Sequence, residues 1–84
     1  SLLCVVEEPR DILSLEKAGS FRGRYHALMG RLSPLEDIHP EDLRIRELEQ
    51  RLAEEPVKEV ILALGSDTES ETTAVYLGKL LKDK

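Results

Sequence analysis

Leu2-Leu3-Cys4-Val5-Val6-Glu7-Glu8-Pro9-Arg10-Asp11 opens the chain with five apolar residues in a row, then a proline set among acids. An unbroken apolar run offers water no polar face, so it predicts a strand covered on both sides, the habit of parallel sheets. Pro9 fits the first position of a helix, where its missing N–H is not needed, and Asp11 puts an acid in the first turn. The helix runs to about Ala18 and is closed by Gly19, with Phe21 placed to pack against the turn.

Outward from this unit the same order repeats. Residues 24–29, Arg-Tyr-His-Ala-Leu-Met, read as a second strand, and residues 30–39, with Pro34, as a ten-residue connection without helical period. Pro40-Glu41-Asp42 repeats the proline-and-acids start, and Leu43, Ile45, Leu48 and Leu52 continue it as an apolar stripe to about Glu54. After Pro56, Val60-Ile61-Leu62-Ala63-Leu64 predicts a third strand ending at Gly65. Ser66 with Glu69, and Thr68 with Glu71, have capping-box spacing, so a third helix starts near Thr68 and runs to Lys82-Asp83-Lys84. The two unbroken runs place the first and third strands side by side at the centre, with Val5, Ile61 and Leu62 buried. The order β-α-β-α-β-α gives an α/β class, a three-layer Rossmann-like parallel sheet with flanking helices. The chain reads as a single domain, residues 1–84, cut from a longer protein, with a last strand expected after the third helix.

Composition removes several functions. A net charge of −5 opposes a main grip on a phosphate backbone, because nonspecific affinity comes from Lys and Arg displacing counterions. The lone Cys4 sits in the apolar run as a small hydrophobe, which excludes an internal disulfide and a paired-cysteine zinc site in this segment. No stretch approaches the roughly 18 apolar residues that span a bilayer, and no leader pattern is present, so the cytoplasm is the expected address. The first crossover carries acids where a nucleotide fold needs bare backbone around phosphate.

Ligands of open parallel sheets bind beyond the C-terminal strand ends. Glu7 follows strand one, and Asp67 and Glu69 follow strand three. Clustered there, the three suit a hard cation such as magnesium; taken singly, Asp67 and Glu69 complement a helix N-terminus and Glu7 is solvated. His26 reads as a packed strand residue before it reads as a ligand or base, and His39 as a cap or an exposed residue. Arg22, Arg24 and Arg31 read as scattered solvated charges before they read as a basic patch. No serine has a base beside it, so no catalytic residue is assigned.

Leu3-Cys4-Val5-Val6-Glu7-Glu8-Pro9-Arg10-Asp11, Tyr25-His26, Gly30-Arg31-Leu32-Ser33-Pro34-Leu35 and Ile38 with Pro40-Glu41-Asp42-Leu43 together resemble the Toprim domain of the RecR family. That resemblance implies a noncatalytic mediator of recombinational DNA repair that works with RecO and RecF, forms ring-like homo-oligomers and meets DNA through other domains. Its structural zinc is expected in a four-cysteine motif upstream of this segment. Catalytic Toprim domains of topoisomerases and primases carry a glutamate after the first strand and Asp-x-Asp-x-Glu-Gly after a later one. Glu7, Asp67 and Glu69 match three of those acids as a weak magnesium site, but Gly65 stands at the first aspartate and Ser70 at the glycine. A magnesium-dependent phosphoryl-transfer domain is the alternative reading. A receiver-like or flavodoxin-like domain is a third, opposed by Gly65 and by the acidic first turn.

Titrated with a fluorescent single-stranded oligonucleotide at physiological salt, the chain should show no saturable binding in the micromolar range; tight binding would show that local basic groups outweigh the net charge.

Overall fold

The computed structural model describes residues 2–19, 21 and 23–82; Arg22 of the supposed basic trio and the expected helical residues Asp83 and Lys84 lie outside them. Three strands, β1 (Leu2–Val6), β2 (Arg24–Ala27) and β3 (Glu59–Leu62), form a parallel sheet in the order β2-β1-β3. Helices α1 (Pro9–Ala18), α2 (Ile45–Glu54) and α3 (Thr68–Lys82) alternate with them. Val5 is the hinge of the register, level with His26 on one side and Leu62 on the other.

Burial follows from that order. Leu3, Val5 and Val6 are fully buried and Cys4 nearly so, as expected of a strand with neighbours on both edges and cover on both faces. Leu3 and Val5 share a core with Leu28, Leu43, Ile45 and Leu48 on the way into and along α2, and with Leu77 of α3. Ile45, Leu48 and Leu52 recur at helical spacing, so α2 presents one apolar stripe. The stripe of α3 changes character along its length: Ser70 and Thr73 are buried near its start and Leu77 farther on, because its first turn faces polar groups rather than the core.

Several boundaries differ from the expected ones. β3 lies beside β1 but at an edge among the described strands rather than at the centre, and Ile61 and Leu62 are half-buried instead of buried because only β1 pairs with them. It also starts earlier and ends at Leu62, although the Ala63 N–H still donates to the Val5 carbonyl at 2.9 Å. β2 stops at Ala27, since Met29 and Gly30 take positive φ (68° and 138°) and turn the chain sharply. Pro40–Asp42 forms a short 3₁₀ turn, not the start of α2, and Leu43 is buried between the two. Asp67, rather than Ser66 or Thr68, caps α3: its Oδ1 accepts from the Ser70 N–H at 2.8 Å.

A carboxylate at Val5 would be enclosed with no donor, at a cost on the order of 5 kcal/mol, comparable with the whole stability of a domain this small. Val5→Asp should therefore abolish the cooperative thermal transition seen by circular dichroism. A soluble variant with the native melting temperature would contradict the position of β1.

Candidate functional site

Because β2 and β3 lie on opposite sides of β1, the chain reverses its winding there, and the crevice of an open α/β sheet opens beyond the C-terminal ends of β1 and β3. Glu7 is the residue directly after β1 and is only 8% exposed. Asp67 and Glu69 arrive at the same place on the first turn of α3. The three sequence-predicted acids are thus brought together, and between them lies a residue that sequence reasoning had assigned to solvent. The Arg31 guanidinium reaches Glu69 Oε1 at 3.1 Å through Nε, Asp67 Oδ2 at 3.3 Å through Nη2 and Glu7 Oε1 at 3.5 Å through Nη1.

One positive charge does not balance three negative ones, and neutral donors meet the rest. Glu7 Oε2 accepts from the Ser70 hydroxyl and from the Gly65 N–H at 3.2 Å. Glu69 Oε2 accepts from the Ser33 hydroxyl. Ser33 and Ser70 are both fully buried, so their hydroxyls are dedicated to these acids. Hydrogen bonds from Ser70, with the Arg31 charge beyond them, hold the Asp67 carboxyl below its ordinary range. The Ser33 hydroxyl and then Arg31 do the same for Glu69. Arg31 is held more firmly in its charged form, first by Glu69 and then by Asp67.

Tested against magnesium, this set does not fit. The ion demands oxygen ligands at about 2.0–2.1 Å in near-octahedral array, whereas each of the six carboxylate oxygens here already faces an N–H, a hydroxyl or the guanidinium. Among the described residues no three His, Cys, Asp or Glu side chains converge in a form suited to a metal. Gly65 reinforces the arrangement: a Cβ built there would lie 2.8 Å from the Ser70 Oγ, so an aspartate at that position would need the hydroxyl to leave Glu7.

The remaining sequence candidates fall elsewhere. His26 is buried, its Nε2–H donating to the Arg44 carbonyl at 2.8 Å while Nδ1 faces Arg51 Nη1 at 3.4 Å, a packed strand histidine. His39 is exposed and bonded to Asp37, whose carboxylate raises the imidazole pKa. Burial pushes the Cys4 thiol up, away from reactivity. Arg24 makes an exposed pair with Glu55 at 3.2 Å. Of the two described arginines of that group, Arg31 enters the site and Arg24 does not, and the signal for Arg31 is its position just past strand two, at the same sheet edge as the acids.

Arg31→Gln would leave three carboxylates facing one another. Its melting temperature should fall several degrees below the native value, by a margin that narrows as salt screens the repulsion, and Arg31→Lys should recover only part because an ammonium cannot fork to three acids. Millimolar magnesium should stabilise the Gln variant and leave the native protein unchanged. An equal rise in both would show that the native cluster is open to the ion.

The Toprim domain family matches residues 1–84. The chain is 56% identical over 82 residues to the recombination protein RecR of Acidothermus cellulolyticus and 57% over 82 to that of Moorella thermoacetica, each alignment covering 98% of this chain. Over 81 residues it is 59% identical to that of Pelotomaculum thermopropionicum, with 96% of this chain covered. It spans about two fifths of the length of these relatives, 41%, 41% and 40% respectively. With the acid-bearing sheet edge in its expected place and the family match running from end to end, this chain belongs to the Toprim domain family, as a Toprim domain of the RecR type.

Proposed function

We propose that this domain is a noncatalytic module of a RecR-type recombination mediator, acting in recombinational DNA repair as a rigid platform on which other repair proteins assemble. The observation that carries the reading is Arg31 among Glu7, Asp67 and Glu69. Phosphoryl transfer through a Toprim edge needs carboxylates free to bind a metal that in turn holds phosphate. Here the carboxylates are spent on an internal guanidinium, two serine hydroxyls and two backbone N–H groups. They fasten chain segments to one another, which supports a structural role for the cluster.

RecO-type and RecF-type proteins are the partners this reading implies, with DNA held by other parts of a longer homo-oligomeric protein in the cytoplasm. Net charge agrees with that division, since a domain at −5 adds little to phosphate affinity. No described helix is long and apolar enough to cross a membrane.

A nicking assay on supercoiled DNA separates scaffold from enzyme. With magnesium or manganese the native chain should give no more open-circular product than buffer, and Asp67→Ala should be indistinguishable from it. Metal-dependent nicking that disappears in Asp67→Ala would replace the scaffold reading with phosphoryl transfer.

A further inference from the structure

The segment carrying Arg31 also carries the most exposed large apolar side chain of the described residues: Leu35, 95% exposed. An exposed leucine alone means little, because much of any protein surface is apolar. What distinguishes Leu35 is how firmly its turn is mounted. Ser33 and Ile38 form an antiparallel bridge at its base, with N–H to O distances of 3.1 and 2.8 Å. Across the tip the Asp37 N–H reaches the Pro34 carbonyl at 3.3 Å and the Glu36 N–H reaches Ser33 Oγ at 3.2 Å. Below it the Leu32 N–H donates to Thr73 Oγ1 at 2.9 Å, while Arg31 and Ser33 hold Glu69 of α3 and Arg31 also reaches Glu7, the residue after β1. Proline at position 34 removes further backbone freedom.

We infer that the turn 33–38 is a preformed docking knob whose Leu35 enters an apolar socket, rimmed by Arg or Lys, on a protein partner. The inference rests on the proposed function and deepens it by naming the surface and the partner's chemistry. Ordering a loop on binding costs affinity, and this loop is ordered beforehand by bonds that cross from it to α3 and to Glu7 at the end of β1. The rim chemistry follows from charge. Glu36 and Asp37 follow the leucine, and Asp42 is tied in through the His39 main-chain N–H, which donates to Asp42 Oδ2 at 2.9 Å; the His39 imidazole pairs with Asp37 at 2.6 Å, so the acids still outnumber the one basic group among them. Acids around an apolar tip repel phosphate, which argues against nucleic acid, and repel a second copy of a chain that is itself at −5. A basic collar around an apolar pocket complements both features.

The test uses purified RecO-type and RecF-type proteins from the organism that encodes the chain, titrated against the native chain, Leu35→Ser, Leu35→Met and Leu13→Ser. Leu13, 67% exposed on α1 and not part of the turn 33–38, serves as the surface control. Burying a leucine side chain corresponds to about tenfold in affinity or more, so Leu35→Ser should weaken one of the two complexes by at least about that factor, with its melting temperature unchanged. Leu35→Met, which conserves volume, and Leu13→Ser should bind like the native chain. Native binding that survives Leu35→Ser, or that Leu13→Ser weakens equally, overturns the knob and leaves the mediator module standing. A native chain that binds neither protein overturns both.

Discussion

A carboxylate buried at the end of a central strand must be given donors or the domain does not form, and that requirement at Glu7 organises the whole C-terminal edge of the sheet. β1 is enclosed on both faces, so the residue that follows it emerges into a space walled by the loop after β3 and the first turns of α3. Three separate segments supply its partners: Gly65 from the loop, Ser70 from α3 and Arg31 from the connection after β2. Each partner is in turn tied to Asp67 or Glu69 or lies beside them. The result is a polar knot at one end of an otherwise apolar core, and it fixes where α3 begins and where the 30–39 connection runs. Buried polar networks specify geometry well only when every member is satisfied. Here the two buried serines complete the set.

The parts of this architecture that the sequence reveals are those governed by local rules. An apolar run followed by a proline among acids predicts β1 and α1 closely, and Gly19 does close α1 in the left-handed conformation. The acids at 7, 67 and 69 are legible because they lie just past predicted strands. Arg31 lies past strand two by the same rule, but its role stays hidden, because the positive φ of Met29 and Gly30 ends that strand early and nothing in the local pattern signals the turn. Pattern alone assigned Met29 to a strand and Arg31 to solvent. Ser33 and Ser70 are hidden for a related reason: a serine hydroxyl carries no periodicity, and only the assembled edge shows whose oxygen it serves. The edge position of β3 is likewise a matter of pairing order, to which an apolar run is blind.

On the proposed reading, a Toprim edge with its acids turned inward serves as a mounting and not as a metal site. Catalysis asks a carboxylate cluster to stay open, poised and able to exchange ligands. Structural mounting asks the reverse, that each oxygen be taken. Gly65 and Ser70, the two departures from the acidic pattern of catalytic relatives, act together in this sense: the glycine leaves room for the serine, and the serine occupies Glu7. The same bonds that close the cluster hold the connection from which Leu35 projects.

The central claim is that internal donors, not a metal, keep these acids ionised and in place. The most direct measurement is an NMR titration of the Asp67 and Glu69 side-chain carboxyls in metal-free buffer, from neutral pH into acid. Both groups should titrate below the ordinary carboxylate range. Their contribution to stability should be complete above that range and be lost as pH falls through the lowered values, because a depressed folded-state pKa stabilises only while the group is ionised. In Arg31→Gln the Glu69 midpoint should move back up. Ordinary or raised values for both acids in the native protein, falling only when magnesium is added, would contradict the account.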